Sequence, residues 1–152
     1  MKRIIVTGGA GYIGSHTVVE LHKSGFEPII IDNLCNSSIR NINGISKIIQ
    51  KKIKWHNVDC TDKEAMSEIL SKERDIAAII HFAAYKSVEE SVIYPKKYYT
   101  NNIDSLKVIL DCMKENNILN IIFSSSCTVY GEPDNLPVDE KAVFKKASSP
   151  YG

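Results

Sequence analysis

The sequence predicts an α/β fold in which helices cover both faces of a doubly wound parallel sheet. Short apolar runs typical of buried strands alternate with amphipathic stretches typical of helices along the 152 residues. No repeat, linker or low-complexity tract interrupts this alternation. The chain is therefore expected to form one domain with about five strands.

A glycine-rich turn joins the first predicted strand to the first helix. Ile4–Val6 is typical of a buried strand, and Gly8, Gly11 and Gly14 follow it, before a helical pattern that stops at Ser24–Gly25. Gly8 permits a tight turn, Gly11 lets the backbone approach a pyrophosphate, and Gly14 lets the helix pack on the sheet. A plain loop is the alternative for such a pattern in isolation, but the flanking strand and helix favour a dinucleotide-binding turn.

The second strand indicates which dinucleotide binds. Ile29–Ile31 is apolar and ends at Asp32, eighteen residues after Gly14. In a nucleotide-binding βαβ unit, an acidic residue at this place accepts hydrogen bonds from the adenosine ribose. Asp32 would repel the additional phosphate of NADP, and the only nearby arginine is Arg40. The sequence thus predicts a Rossmann-like domain with NAD as its cofactor.

Apolar periodicity predicts the later elements in the same alternating order. They are a helix ending near Gln50, a third strand over 53–58, a fourth strand over 76–82, a long helix from about Pro95 to Asn116, and a fifth strand over 121–123. Between the third and fourth strands, Thr61–Glu64 has the pattern of a capping box for another helix.

Small and polar residues follow the predicted strands, where ligands bind in open parallel sheets. They are Gly8–Gly14, Asp32–Asn33, Asp59–Cys60, Ala83–Lys86 and Ser124–Ser126. An ordinary turn would explain any one of them. Five such segments at one sheet edge favour a single site.

Composition restricts the possible partners and location. The net charge of +1 and the isolated lysine pairs imply no nucleic-acid partner. The four cysteines lack CxxC spacing and do not combine with the histidines at metal-ligand spacing, which predicts reduced thiols and no metal site. No membrane span or signal peptide is recognisable, so we expect a cytoplasmic protein.

Two segments with reactive side chains give the sequence a family resemblance. The TGxxGxxG form of Thr7–Gly14, a serine after the fifth strand and the SPYG segment Ser149–Gly152 resemble the extended short-chain dehydrogenase/reductase family. The resemblance covers the entire chain. His81–Ala84 and Glu90–Ser91 are most similar to members that interconvert UDP-glucose and UDP-galactose in galactose metabolism.

The resemblance implies a set of site residues. Those expected to contact NAD are Gly8, Gly11, Tyr12, Ile13 and Gly14 at the pyrophosphate; Asp32, Asn33, Leu34, Cys35, Asn36 and Ser37 around the adenosine ribose; Asp59 and Cys60 at the adenine; and Phe82, Ala83, Ala84, Lys86, Asn101, Ser124 and Tyr151 towards the nicotinamide. Ser126 and Tyr151 match the family's catalytic serine and tyrosine. Lys86, Ser126 and Tyr151 would contact the UDP-sugar.

Chemistry supports the two catalytic assignments. Oxidation of an alcohol by NAD requires a base for the hydroxyl proton, and a phenol with a pKa of about 10 is a poor base. A nearby ammonium and the positive nicotinamide would favour the phenolate of Tyr151, while Ser126 would orient the sugar oxygen. A surface aromatic is the alternative for Tyr151 in isolation, and Tyr130 is expected to have a packing role.

The family pattern also implies that residues 1–152 are an incomplete NAD-binding domain. The catalytic lysine would stand four residues after Tyr151, and a C-terminal domain would hold the nucleotide sugar. We therefore expect an N-terminal fragment, inactive alone, of a longer homodimeric enzyme whose interface uses the helix near 95–116.

Several alternatives stay open. They are a non-catalytic NAD-binding module, an epimerase of other UDP-sugars, a decarboxylase and a 4,6-dehydratase. The dehydratases carry carboxylates just after the catalytic serine or threonine, where this chain has Cys127 and Thr128. Neither side chain can replace a carboxylate pair at neutral pH.

Overall fold

The computed structural model describes all residues from Met1 to Gly152. Five parallel strands form one sheet in the order β3-β2-β1-β4-β5. The strands are β1 (Arg3–Thr7), β2 (Glu27–Ile31), β3 (Lys54–His56), β4 (Ile76–His81) and β5 (Ile121–Phe123). The strand order reverses between β1 and β4, as in doubly wound sheets. The predicted fold class is confirmed.

Six α-helices and two further helical turns connect and follow the strands. They are α1 (Tyr12–Lys23), α2 (Ile39–Ile48), α3 (Lys63–Lys72), α4 (Val88–Ile93), α5 (Pro95–Tyr98), a π-helical turn (Tyr99–Ile103), α6 (Asp104–Glu115) and a 3-10 turn (Cys127–Tyr130). None of the helices is both long enough and apolar enough to cross a membrane.

The core has two layers, one on each face of the sheet. Ile29 and Ile31 of β2 pack with side chains from α3 and α6. Ile30, between them, packs on the other face with side chains from α1 and α2. Because successive strand residues point to opposite faces and both faces are buried, the central strands are continuous apolar runs.

The third strand is shorter than the predicted range 53–58. β3 pairs only with β2, through the three residues that face Ile29–Ile31. The N–H of Ile53 donates instead to Oγ of Ser46, at 3.1 Å. β2 ends at Ile31, opposite His56, so residues 57 and 58 have no partner in that strand.

The predicted capping box is wrong by one residue. Asp62 is the N-cap of α3, and its side chain accepts a hydrogen bond of 3.1 Å from the N–H of Ala65. The hydroxyl of Thr61 donates to Asp59 instead, at 2.7 Å. The N–H and the hydroxyl of Thr61 both bond Asp59, just after β3, and the cap falls to the next residue, Asp62.

The long helix predicted near 95–116 exists but changes geometry along its length. α5 passes into the π turn at Tyr99 and into α6 at Asp104. α4, which ends before Pro95 begins α5, was not predicted. Apolar periodicity did not reveal α4 because three of its six residues, Val88, Val92 and Ile93, are exposed and apolar.

Candidate functional site

Four backbone hydrogen bonds join the carboxyl ends of the strands to the loops beside them. They run from Asp32 N to His56 O (3.1 Å), from Gly8 N to Ile31 O (2.9 Å), from Phe82 N to Thr7 O (3.0 Å) and from Ser124 N to His81 O (3.1 Å). Each loop is therefore fixed to a neighbouring strand end, and the loops assemble at one edge of the sheet.

A cavity of about 640 Å³ opens at this edge. Its volume lies within the range of small-molecule and cofactor sites. With one exception, the structure places every predicted site residue in its lining: Gly8, Gly11, Tyr12, Ile13, Gly14, Asp32, Asn33, Cys35, Asn36, Ser37, Asp59, Cys60, Phe82, Ala83, Ala84, Lys86, Asn101, Ser124, Ser126 and Tyr151. Leu34 is the exception, because its side chain packs against the core beside α1 and α2.

The glycine turn is packed too closely for side chains. A Cβ at Gly14 would lie 2.2 Å from the carbonyl oxygen of Gly8. Gly8 has a φ of +69°, and a Cβ there would lie 2.7 Å from the backbone nitrogen of Ala83. Both positions require glycine, Gly8 also because of its left-handed backbone.

The start of α1 offers unpaired donors to the cavity. Gly11 is its N-cap and supplies no side-chain cap. The N–H groups of Tyr12, Ile13 and Gly14 have no acceptor within the chain. A helix N-terminus with free N–H groups favours an anion such as a pyrophosphate. The cavity thus has the chemistry that the phosphates of a dinucleotide need.

Asp32 is buried at the end of β2, and its carboxylate organises the neighbouring loops. One oxygen accepts a hydrogen bond from the N–H of Ala10, at 3.0 Å. The other accepts from the N–H of Leu34 and the hydroxyl of Ser37, at 2.9 and 2.8 Å. The same carboxylate therefore lines the cavity and connects the glycine turn to the loop after β2.

Asp59 and Cys60 form the cavity wall after β3. Burial opposes ionisation of Asp59, but hydrogen bonds from Thr61 and Asn33 outweigh it, so the pKa of this carboxyl lies below its ordinary value. Burial raises the pKa of the Cys60 thiol to about 12. The wall therefore pairs a carboxylate with a neutral thiol.

Ser126 is the N-cap of the 3-10 turn after β5. Its Oγ accepts hydrogen bonds from the N–H of Thr128 (3.3 Å) and from the Thr128 hydroxyl (3.0 Å). The hydrogen of the Ser126 hydroxyl is consequently available to donate to a ligand oxygen.

Tyr151 reaches the same cavity from the end of the chain. Its N–H donates to Oγ of Ser91, at 3.2 Å. Its ring meets the ring of Tyr98 edge-on, with centroids 6.4 Å apart. The next residue, Gly152, packs so closely on the 3-10 turn that an added Cβ would lie 2.9 Å from the oxygen of Thr128. Tyr130, by contrast, stacks on Phe144 at 5.1 Å.

The structure adds cavity residues that sequence reasoning missed. They are Val58, Ser87, Glu90, Tyr98 and Ser105. The hydroxyl of Tyr98 donates to Glu90 (2.7 Å) and accepts from the N–H of Ser87 (3.1 Å). Ser87 and Glu90 lie at the start of α4, which was not predicted. Tyr98 and Ser105 lie on the predicted helix near 95–116, but its sequence pattern did not show which residues reach the cavity. No group of three or more His, Cys, Asp or Glu side chains could hold a metal ion.

Comparison with known protein families shows to which family the chain belongs. The family model described as GDP-mannose 4,6 dehydratase matches residues 5–152. The chain belongs to the GDP-mannose 4,6-dehydratase family. Within it, the chain is 46% identical over 150 residues to UDP-glucose 4-epimerase of Dictyostelium discoideum, and 45% identical over 149 residues to that of Bacillus subtilis. The predicted resemblance is confirmed.

Solved structures support the same placement within the GDP-mannose 4,6-dehydratase family. UDP-glucose 4-epimerase from Bifidobacterium longum, in complex with NAD⁺ and UDP, superposes with a TM-score of 0.95 at 41% identity, over 99% of this chain and 44% of that one. The enzyme from Stenotrophomonas maltophila, with bound NAD and formylated UDP-arabinopyranose, gives 0.93 at 40% identity, over 99% and 44%.

Coverage is unequal in these comparisons. The Dictyostelium and Bacillus matches include 99% and 98% of this chain, but 43% of each relative. The chain thus spans less than half the length of the curated relatives that it matches.

Proposed function

We propose that residues 1–152 form the NAD-binding domain of an enzyme that interconverts UDP-glucose and UDP-galactose by transient oxidation at sugar C4. One observation carries the proposal: a single cavity is lined by the glycine turn, Asp32, Ser126 and Tyr151. The relatives at 45–46% identity that are UDP-glucose 4-epimerases support the same reaction.

The binding roles follow from the polar groups around the cavity. The free N–H groups of Tyr12, Ile13 and Gly14 hold the pyrophosphate of NAD. Asp32 accepts hydrogen bonds from the adenosine ribose, and its negative charge disfavours the 2′-phosphate of NADP. Asp59, whose carboxylate is held by Thr61 and Asn33, lies at the adenine end.

The remaining residues handle the sugar hydroxyl. Bound NAD supplies a hydride acceptor for oxidation at C4. Tyr151 takes the proton of the 4-hydroxyl, and Ser126 donates a hydrogen bond that orients the same oxygen. Lys86 forms no ion pair within the chain and adds positive charge to the cavity.

Cofactor binding is testable with the chain itself. A ligand that binds only the folded state raises its stability, so NAD at 100 times its Kd should add about 2.7 kcal/mol to the free energy of unfolding. Thermal unfolding with equal concentrations of NAD and NADP measures this effect. We expect a larger rise with NAD, and no rise with either dinucleotide would refute the cofactor assignment.

Activity is testable with the full-length enzyme. The protein should convert UDP-galactose to UDP-glucose, and Tyr151→Phe should lower kcat by about 10²- to 10⁴-fold. Tyr130→Phe is a matched control, because that ring stacks on Phe144. Full-length protein that retains NAD yet leaves UDP-galactose unchanged would favour a binding module.

A 4,6-dehydratase is the second candidate, because the matching family model carries that description. Cys127 is exposed and Thr128 hydrogen-bonds Ser126. Neither supplies the carboxylates that elimination requires in dehydratases of this kind. Product analysis separates the two activities, since a dehydratase forms a 4-keto-6-deoxy sugar and an epimerase returns a hexose of the same mass.

We also propose that the intact protein is a cytoplasmic homodimer. Tyr99, Ile103 and Leu110 leave an exposed apolar surface along the π turn and α6, and such a surface is typical of a contact between copies. Four free cysteines favour a reducing compartment. Sedimentation of the full-length protein tests the dimer, which Leu110→Lys should weaken.

A further inference from the structure

Asn41 makes the only side-chain hydrogen bond between α2 and the glycine turn. It is the third residue of the helix Ile39–Ile48, and its Nδ2 donates a hydrogen bond of 2.7 Å to the carbonyl oxygen of Ala10. Ala10 is fully buried. Because a buried carbonyl without a partner is costly, this bond satisfies a group that solvent cannot reach.

The bond belongs to a pair that fixes two consecutive peptide planes. The plane between Gly9 and Ala10 is held at its N–H by Asp32, at 3.0 Å. The plane between Ala10 and Gly11 is held at its carbonyl by Asn41, and at its N–H by the oxygen of Gly8, at 3.0 Å. A peptide unit is rigid, so a plane held at both polar atoms cannot rotate.

These planes lead directly into the N-terminus of α1. Gly11 is the N-cap, and the unpaired N–H groups of Tyr12, Ile13 and Gly14 follow it. The orientation of the second plane therefore determines the direction in which α1 begins. Preorganised donors bind an anion without first being ordered, which increases affinity.

We infer that Asn41 is a positioning residue for the dinucleotide site: its amide fixes the Ala10–Gly11 peptide and thereby orients the donors at the start of α1. The inference rests on the proposed binding of NAD. Asn41 does not line the cavity, so its effect on affinity is transmitted through the glycine turn.

Asn43 is a matched control on the same helix. Both side chains are exposed, but that of Asn43 forms no hydrogen bond. We expect Asn41→Leu to weaken NAD binding by about tenfold, because it removes the hydrogen bond to the buried Ala10 carbonyl. Asn43→Leu should change the Kd by less than about twofold. Asn41→Gln retains an amide donor and should bind more tightly than Asn41→Leu. Isothermal titration with NAD measures all three.

Amide hydrogen exchange provides a readout that does not depend on NAD. The N–H of Gly11 should exchange about tenfold faster in Asn41→Leu than in Asn43→Leu, while amides in β1 remain equally protected in both. If the unmodified chain does not bind NAD, the proposed function fails, and exchange at Gly11 still decides the positioning role. Unchanged exchange at Gly11, or equal NAD affinity in the two leucine variants, would overturn the inference.

Should Asn41→Leu not fold, the same comparisons apply to Asn41→Gln against Asn43→Gln, with smaller expected differences.

Discussion

Oγ1 of Thr7 and Nδ1 of His81 share a buried hydrogen bond of 2.6 Å. Thr7 ends β1 and His81 ends β4, the two strands between which the order of the sheet reverses. The bond therefore joins the strands that flank the cavity. Phe123 of β5 stacks on the His81 ring at 5.8 Å and helps to enclose it.

The chain should lose stability as the pH is lowered, because of His81. Burial lowers the pKa of this imidazole to about 4 in the folded chain, against about 6.5 when unfolded. Between these values the unfolded state binds a proton that the folded state does not, so the free energy of unfolding decreases as pH falls from 6.5 to 4. The loss amounts to at most about 3 kcal/mol. Denaturant unfolding at pH 7 and pH 4.5 measures it.

Two variants isolate the contribution of His81. His81→Gln should reduce the pH dependence across this window, although the variant is less stable at pH 7. Asn43→Gln, at an exposed position of α2 without a titratable side chain, should leave the pH dependence as it is in the unmodified chain. Identical pH dependence in both variants would show that His81 is not responsible.

Two glycines should respond oppositely to replacement by alanine. Gly14→Ala places a Cβ 2.2 Å from the carbonyl oxygen of Gly8. The backbone there would have to shift, which costs more than the movement of a flexible side chain. We expect a loss of more than about 2 kcal/mol and weaker NAD binding. Gly44, in α2, has no atom within 4 Å of an added Cβ. Gly44→Ala should stabilise by about 0.5–1 kcal/mol, since alanine favours helix. Urea denaturation of both variants tests the pair, and equal effects would contradict it.

Tyr98, the last residue of α5, and Tyr99, the first of the π turn, should contribute differently to stability. Tyr98 is 1% exposed, and its hydroxyl bonds Glu90 and the N–H of Ser87. Tyr98→Phe leaves these groups without that partner and should cost about 1–3 kcal/mol. Tyr99 is half exposed and its hydroxyl has no partner in the chain. Tyr99→Phe should change the free energy of unfolding by less than about 0.5 kcal/mol. Chemical denaturation of both variants measures the difference. A larger loss of stability in Tyr99→Phe than in Tyr98→Phe would contradict this prediction.

Strand β5 should govern the tendency of the chain to aggregate. It forms an edge of the sheet, with Ile122 59% exposed and Phe123 51% exposed. Ile122→Lys should reduce light scattering on concentration while changing stability by less than about 0.5 kcal/mol. Ile121 packs against the core instead, so Ile121→Lys should cost roughly 2–4 kcal/mol. Unchanged scattering in Ile122→Lys would exclude this edge as the source.

Much of the site was predictable because of where it lies. In parallel sheets the segments after the strands meet at one edge, so Gly8, Asp32, Asp59 and Ser124 could be assigned to one site from sequence order. Leu34 could not be distinguished from its neighbours in this way. Its backbone has a φ of +58° and its N–H bonds Asp32, which turns the side chain to the core.

By itself, the sequence determined the parallel sheet, the glycine turn and the position of Asp32 at the end of the second strand. Apolar periodicity and glycine spacing, on which these depend, are local properties of the chain. Only the tertiary structure decided the roles of Asn41, Tyr98 and Glu90. Each acts through a contact with a residue distant in sequence or on an unpredicted helix, as when Asn41 reaches Ala10, 31 positions away. Such contacts depend on how helices pack across the sheet, and no local pattern encodes that packing.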